Sequence, residues 1–190
     1  MAAARRVVSR DGAEARIDTI AREAGVGVGT VYRRFPTKEE LVGSVLQEFA
    51  DATLEGISTA ATDPAPRSAF EQSVHALAEN LAQNRGLLDA LEPQLRRSRP
   101  MLELRARLMA TLEPVLARAQ DADEVRGDVA VTDVLALASL VTRLPAPVRD
   151  LEPRAWERFL AVMLDGLRPG AAGSALPGRP LPRELRPSKR

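Results

Sequence analysis

The chain has 190 residues, of which 45% are apolar, 3% are aromatic and none is cysteine. This composition excludes disulfides, thiolate zinc sites and cysteine nucleophiles, and no apolar run approaches the roughly 20 residues needed to span a bilayer. The net charge of +1 divides into +2 over residues 1–40, −6 over 41–167 and +5 from residue 168, which excludes a nonspecific DNA-coating protein with a basic body. Leu, Ala and Val must fill the core, and runs of β-branched residues are nearly absent, so an all-α fold is predicted.

The first predicted helix covers residues 2–9, and a second begins near Ile17. Apolar residues recur there at i, i+3, i+4 and i+7, which places them on one helical face. These residues are Ile17, Ile20, Ala21 and Ala24. Gly25 supplies the left-handed residue that ends a helix, and Val26-Gly27 turn the chain toward a third helix.

The third helix is predicted from Val28 to Arg34, with Val31 and Phe35 pointing inward and a polar, basic and aromatic surface outward. A fourth helix begins at the sequence Thr37-Lys38-Glu39-Glu40, which fits a capping box. Two helices across a glycine turn, the second carrying this set of side chains, are typical of a DNA-reading helix-turn-helix.

The stretch IDTIAREAGVGVGTVYRRFPTKEELV, residues 17–42, resembles the N-terminal domain of the TetR family of bacterial transcriptional regulators. The resemblance implies an all-helical homodimer of about nine helices that binds a palindromic operator as a repressor. It further implies release of the operator when a small-molecule effector occupies the C-terminal domain. The expected segments are a helix-turn-helix domain over 1–45, an effector-binding and dimerisation bundle over 46–168, and a tail over 169–190. Family members usually carry further upstream residues, so we expect an N-terminally extended form to bind DNA more tightly.

In such proteins the start of the recognition helix, its tyrosine and the lysine that opens the next helix contact DNA. Lys38 stands at the first helical position, where free backbone N–H groups favour a phosphate. Arg16 stands where many members have Ser or Thr, so a charged phosphate contact replaces a hydroxyl contact there. The predicted DNA-contacting residues are Arg16, Gly27, Val28, Gly29, Thr30, Tyr32, Arg33 and Lys38.

The body is predicted to hold six helices separated by proline-rich or acidic breaks. They cover residues 38–60, 67–84, 86–97, 101–120, 131–144 and 153–167. Pro114 is expected to bend or split the fourth of them. The linker over 145–147 is so short that the last two helices should form an antiparallel hairpin.

An effector pocket is expected between the helices of residues 67–120, by resemblance. Its candidate lining is Phe70, Val74, His75, Leu77, Leu88, Leu91, Arg105, Leu108 and Leu112, with Gln72 and Asn80 as further polar groups. A core role is the competing interpretation of the apolar stripe, and a surface or structural role that of His75. The scarcity of polar groups favours an apolar effector. A single histidine and no cysteine indicate no metal site, and no nucleotide-binding or catalytic motif occurs, so we expect neither a cofactor nor enzymatic activity.

The last two helices are apolar over more than one stripe, which indicates burial on two sides. The dimer interface typical of the family would bury the second side. Its candidate residues are Val134, Leu135, Ala138, Val141, Trp156, Phe159, Leu160 and Met163. The competing interpretation places both helices centrally in a monomer.

The tail over 169–190 is rich in Pro, Gly and Arg without an apolar period, so it is predicted to be disordered and solvated. The absence of a signal peptide and of cysteine favours a cytoplasmic location. The alternative function that the residues leave open is a helical protein-interaction module without specific DNA binding.

Overall fold

The computed structural model describes residues 2–11, 15–89, 99–171 and 174–183. Helices are the only regular secondary structure among these residues and no strand occurs in them, which confirms the all-α prediction. Residues 85–89 are helical, and the rest of the helix predicted over 86–97, residues 90–97, lies outside the described residues. The named helices are α1 (Ala2–Asp11), α2 (Ile17–Ala24), α3 (Val28–Arg34), α4 (Lys38–Ala60), α5 (Pro66–Gln83), α6 (Arg99–Asp121), α7 (Val131–Thr142), α8 (Ala146–Leu151) and α9 (Ala155–Gly166), followed by a 3-10 turn at Pro169–Ala171.

The chain divides into two compact units. The N-terminal unit consists of Met1–Ala52 and Gln83–Leu102, and the C-terminal unit consists of Thr53–Ala82 and Glu103–Arg190. In the N-terminal unit, Val7 and Val8 of α1 form one buried cluster with Leu41 and Val45 of α4. Burial of a side chain of this size contributes roughly 1.5–3 kcal/mol, so this cluster fixes α1 on the start of α4.

The α2–α3 pair has its own small cluster, formed by Ile17, Ala21 and Val31 with Phe35 packed against it. Ala24, predicted on the same stripe, is instead exposed, because α2 ends there and the chain turns away. Gly25 has φ +67°, a left-handed conformation that side chains rarely adopt.

Backbone hydrogen bonds close this turn between α2 and α3. The Val26 N–H donates to the Ala21 carbonyl at 3.0 Å, and the Gly25 N–H donates to the Arg22 carbonyl at 3.2 Å. This pair of bonds is the Schellman pattern of a helix C-terminus. It confirms the glycine stop that was predicted from the sequence.

In the C-terminal unit, α5, α6 and α9 each bury apolar side chains almost wholly. Phe70, Leu77, Leu112 and Leu160 are each at most 2% exposed. A Cβ atom on Gly56 of α4 would lie 3.3 Å from the Ala76 Cβ of α5, so glycine permits a close helix approach there. Among the described residues, no helix combines the length and the apolar character needed to cross a membrane.

Two helix predictions in this unit differ in part from the structure. Pro114 does not split α6, which is continuous from Arg99 to Asp121. Proline removes one N–H and frees the carbonyl four residues earlier, and this residue, Ala110, is exposed, so water can hydrogen-bond that carbonyl. The short helix α8 stands where a tight hairpin linker was predicted, because Pro145 and Pro147 initiate a turn of helix.

The connection over residues 122–130 is held by polar side chains from several elements. Arg67 of α5 donates to the Glu124 carbonyl at 3.0 Å and to the Leu164 carbonyl at 2.7 Å. Gln120 of α6 donates to the Arg126 carbonyl at 3.0 Å and to the Val129 carbonyl at 2.9 Å. Because backbone groups in a connection need partners when water is excluded, these side chains replace the missing helical bonds.

Residues 174–183 of the tail have no helix or strand and hydrogen-bond other parts of the C-terminal unit. The Leu176 N–H donates to the Asp128 carboxylate at 2.8 Å, and Arg126 donates to the Ser174 carbonyl at 2.8 Å. Arg183 pairs with Glu113 of α6 through both of its terminal nitrogens, one of them at 2.9 Å. These contacts join residues 48 to 70 positions apart, so no local pattern indicates them.

Candidate nucleic-acid interface

The helix α3 occupies the residues predicted for a recognition helix, and α4 begins at Lys38 as predicted. Val31 is buried and Phe35 is half-buried, so this side of α3 faces α2. The opposite side is therefore free to meet another molecule. Its residues are Gly27, Val28, Gly29, Thr30, Tyr32 and Arg33, all exposed.

Two glycines at the start of α3 meet no tight packing contact within the chain. A Cβ atom on Gly29 would meet nothing within 4 Å, and one on Gly27 would meet only the Thr30 hydroxyl at 3.9 Å. Glycine inside a helix costs roughly 0.5–1 kcal/mol relative to alanine. Packing within the chain therefore does not require a glycine at position 29.

Large side chains on the same face are more exposed than their apolar character favours. Tyr32 is 48% exposed and Val28 is 39% exposed. Arg33 donates a hydrogen bond to the Thr30 hydroxyl at 3.3 Å, which holds its guanidinium along the helix rather than extended into solvent. The face thus presents an aromatic ring, a branched apolar group and a positioned cation side by side.

Charged groups stand at the starts of α2 and α4, the helices that precede and follow α3 in the chain. Arg16 occupies the N-cap position of α2 without a side-chain cap, and its guanidinium lies 3.7 Å from the Asp18 carboxylate. At α4, the Glu40 N–H donates to the Thr37 hydroxyl at 3.2 Å, which confirms Thr37 as the cap. Lys38 is the first residue of α4 and is half-buried.

Two arginines were not assigned a role from the sequence. Arg22 is exposed in the last turn of α2, next to the turn that leads into α3. Arg34 lies with its guanidinium carbon 5.6 Å from the centre of the Phe35 ring, in cation–π range. Adjacent arginines in the sequence therefore differ in role, because Arg33 lies on the exposed face and Arg34 covers an aromatic ring.

The residues predicted to line an effector pocket are not brought together around one described cavity. Most of the apolar members are core residues, at most 9% exposed, namely Phe70, Val74, Leu77, Leu108 and Leu112. Leu88 belongs to the N-terminal unit, and Leu91 lies outside the described residues. These five apolar positions lie in the interior of the C-terminal unit.

The polar candidates for an effector site have different surroundings. The His75 ring lies 5.2 Å from the Trp156 ring, tilted by 50°, which is an aromatic packing contact. Gln72 donates to the Asp63 carboxylate and to the Ser68 hydroxyl, each at 2.8 Å. Asn80 also has an interaction within the chain. Arg105 differs, because its Nε and one Nη are buried and have no hydrogen-bond partner among the residues that the structure describes.

The dimer candidates fall into two groups. Six of them are buried within the single chain, so a partner could not reach them: Val134, Leu135, Ala138, Val141, Trp156 and Leu160. Phe159 is 46% exposed and Met163 is half-buried. Further apolar residues on these helices are exposed, with Leu140 at 64% and Val162 at 65%. The exposed apolar residues of these two helices thus include Phe159 and Met163 from the predicted set, together with Leu140 and Val162, which were not predicted.

In the part of the chain that the structure describes, no group of three or more His, Cys, Asp and Glu side chains could hold a metal ion.

Comparison with known families matches both units. The sequence model described as "Bacterial regulatory proteins, tetR family" matches residues 1–45. The model described as "Transcriptional regulator SbtR-like, C-terminal domain" matches residues 65–169. No protein of curated function matches the chain.

Solved structures agree with these matches. The TetR transcriptional regulator SCO0520 from Streptomyces coelicolor is 31% identical, with 88% of this chain and 95% of that chain covered and a TM-score of 0.67. The TetR transcription regulatory protein from Mycobacterium vanbaalenii is 33% identical, with 88% and 93% covered and a TM-score of 0.61. The regulator PfmR from Thermus thermophilus is 21% identical, with 86% and 93% covered, and shares the fold at a TM-score of 0.70. With both the helix-turn-helix and the helical C-terminal unit matched, this chain belongs to the TetR family of transcriptional regulators, whose fold serves DNA-binding regulation.

Proposed function

We propose that this protein is a cytoplasmic repressor that binds a palindromic operator as a homodimer. The observation that carries the proposal is the exposed face of α3, on which Gly29 has no packing role and Tyr32 is 48% exposed. A helix placed in the major groove of DNA reads base edges with side chains from its first turns. These are the positions at which this helix carries small, apolar and hydrogen-bonding groups together.

The exposed residues divide into base-reading and phosphate-binding groups. Val28 can contact a thymine methyl, and the Arg33 guanidinium can donate to guanine once it leaves the Thr30 hydroxyl. Arg16 and Lys38, each at the start of a helix, are suited to phosphates because the positive end of the helix dipole and a positive side chain act there together. Gly27 and Gly29 allow the backbone to approach the DNA.

Dimerisation is proposed through the exposed apolar stripe of α7 and α9. The two helices pack against each other in the C-terminal unit. Leu140 on α7 and Phe159, Val162 and Met163 on α9 form this stripe, the last three spaced at i, i+3 and i+4. A water-soluble chain rarely leaves such a patch uncovered, and a two-fold-related copy would cover it with the same surface.

Release by a small-molecule effector is proposed in the C-terminal unit, with Arg105 as its polar contact. A buried guanidinium nitrogen without a partner costs free energy, and an acceptor on a ligand would remove that cost. The apolar surroundings predicted from the sequence favour an effector with an apolar body, and Arg105 adds one oxygen acceptor to it. A thermal-shift screen of apolar acids against matched apolar alcohols and amines tests this, and preferential stabilisation by amines would contradict it.

The experiment that tests DNA binding is selection of bound sites from random duplex DNA. We expect enrichment of a palindrome with two half-sites related by the protein's two-fold axis. Absence of any enriched sequence, together with no duplex binding at low salt, would contradict the proposal. The remaining function would then be the alternative, a helical protein-interaction module.

Single substitutions test whether the exposed face of α3 and Lys38 contact the operator. Tyr32→Ala should weaken operator binding at every salt concentration, whereas Lys38→Ala should also reduce the salt slope by about one unit, as loss of one phosphate contact does. Arg154→Ala serves as the control, because Arg154 is an exposed arginine at the start of α9. Loss of folding in Tyr32→Ala would show that this ring is structural and that the faces of α3 are wrongly assigned.

A further inference from the structure

Residues 174–183, which we call the strap, cross a groove in the C-terminal unit. One wall of the groove is α6, with Glu113, Leu116, Ala117 and Gln120. The other wall is formed by residues 129–132, where the connection over 122–130 leads into α7. The strap lines the same space with Pro180, Leu181 and Arg183. A cavity of about 250 Å³ stays open between them, so the strap bridges the groove without filling it.

Polar contacts at its two ends hold the strap, whereas apolar burial contributes little. Leu176 is 42% exposed and Leu181 is 49% exposed, so neither leucine inserts as an anchor. At the far end, Arg183 meets both carboxylate oxygens of Glu113. A bidentate arginine–carboxylate pair is stronger and more directional than a single surface ion pair.

At the near end, an ion pair in the connection over 122–130 holds the strap backbone. Arg126 donates to both Asp128 carboxylate oxygens, at 2.6 Å and 2.9 Å, and the pair stays fixed in one orientation. The same two side chains also bind the strap. Arg126 donates to the Ser174 carbonyl, and the Asp128 carboxylate accepts from the Leu176 N–H. The near anchor is thus preformed by groups that do not belong to the strap.

We propose that this groove is a docking surface for an extended segment rich in proline and arginine, and that its occupant is the chain's own strap. The composition of the strap suits the role, because the sequence SALPGRPLPR favours an extended chain that loses little entropy on docking. The surface is complementary in charge, since Glu113 lies on the groove and Arg183 on the strap. This role is separate from DNA binding, because no strap or groove residue belongs to α2, α3 or the start of α4.

A charge-reversal cycle in the full-length chain tests the proposal. Glu113→Arg and Arg183→Glu should each increase the hydrogen-exchange rate of the strap amides several-fold, most clearly at Leu176, whose N–H is bonded to Asp128. The double variant restores an ion pair of reversed sense and should return the exchange rate toward that of the parent. Arg179→Glu is the matched control, because it reverses an exposed charge in the same strap and should leave the exchange unchanged.

A peptide of residues 174–190 supplies a second measurement. Docking within one chain benefits from an effective concentration in the millimolar range for a short link. The free peptide should therefore bind the Arg183→Glu variant, whose own strap is weakened, with a dissociation constant below about 1 mM. Exchange rates that are equal in the parent and both single variants, or no peptide binding at that concentration, would overturn the proposal. Operator affinity should stay unchanged throughout, so failure of the strap and failure of DNA binding are distinguishable.

Discussion

Replacement of Arg67 by methionine should destabilise the C-terminal unit far more than a surface arginine would. Methionine keeps most of the apolar stem and removes the guanidinium. The substitution therefore deletes the bonds to the Glu124 carbonyl at 3.0 Å and the Leu164 carbonyl at 2.7 Å, and the 2.5 Å ion pair with Glu71. Only 13% of the Arg67 side chain is exposed, so water cannot fully replace it.

The magnitude follows from those bonds. A hydrogen bond from a charged donor contributes about 1.5–3 kcal/mol, and two of them give about 3–6 kcal/mol. The Glu71 carboxylate adds little, because it is 35% exposed and has Arg168 at 3.9 Å as a second partner. Taking the lower end, about 3 kcal/mol, a chain of this size should lose about 6–12 °C in its melting midpoint.

Thermal unfolding followed by circular dichroism measures this loss. Arg154→Met is the control, since Arg154 is 74% exposed in its pair with Glu157 and should leave the midpoint almost unchanged. Equal midpoints for the two variants would refute the reasoning. Arg67 would then be a bystander to the packing of the 122–130 connection.

Three further substitutions test other parts of the structure. Gly29→Ala should leave thermal stability unchanged or slightly raised, because a Cβ there meets nothing, yet weaken operator binding at least several-fold; unaltered affinity would remove the argument for close approach. Phe159→Asp should convert a dimer to a monomer in light scattering without unfolding it, and a dimer that persists would place the interface elsewhere. Hydrogen bonds from Arg126 and from the Leu176 N–H lower the pKa of Asp128 from 3.8 to about 2. The ionised Asp128 therefore stabilises the folded chain fully above about pH 4, and this stabilisation is lost as the pH falls to about 2. Asp128→Asn should reduce the dependence of the melting midpoint on pH over that interval. A pH profile equal to that of the parent would contradict the role assigned to Asp128.

The helix-turn-helix could be predicted to within a residue because its signals are local. The left-handed glycine at Gly25 and the threonine cap at Thr37 act on neighbouring backbone groups, and each requires only a few residues of sequence. The same reasoning gave the bounds of α3. It also separated Val31, which faces α2, from Tyr32, which faces outward.

The helices of the C-terminal unit could be predicted from the sequence, but the exposed residues of each helix could not. Both stripes of α7 and α9 are apolar, so periodicity alone cannot decide which stripe meets the chain's own core; Leu160 was placed at the interface and is buried, whereas Val162 is exposed. The strap illustrates a second reason, because a contact such as that of Arg183 with Glu113 joins residues 70 apart. Composition predicts the conformational freedom of such a segment, and only the folded surface provides its partner.

The C-terminal unit has one end fastened largely by guanidinium groups. Arg67, Arg118 and Arg126 all donate to backbone carbonyls there, Arg118 to those of Ala61 at 3.1 Å and Asp63 at 2.9 Å. Arginine keeps its proton at every pH that a living cell reaches. A change of pH within the physiological range therefore does not break these arginine–carbonyl hydrogen bonds. Anions such as phosphate or sulfate, which compete for the guanidinium groups, would weaken them.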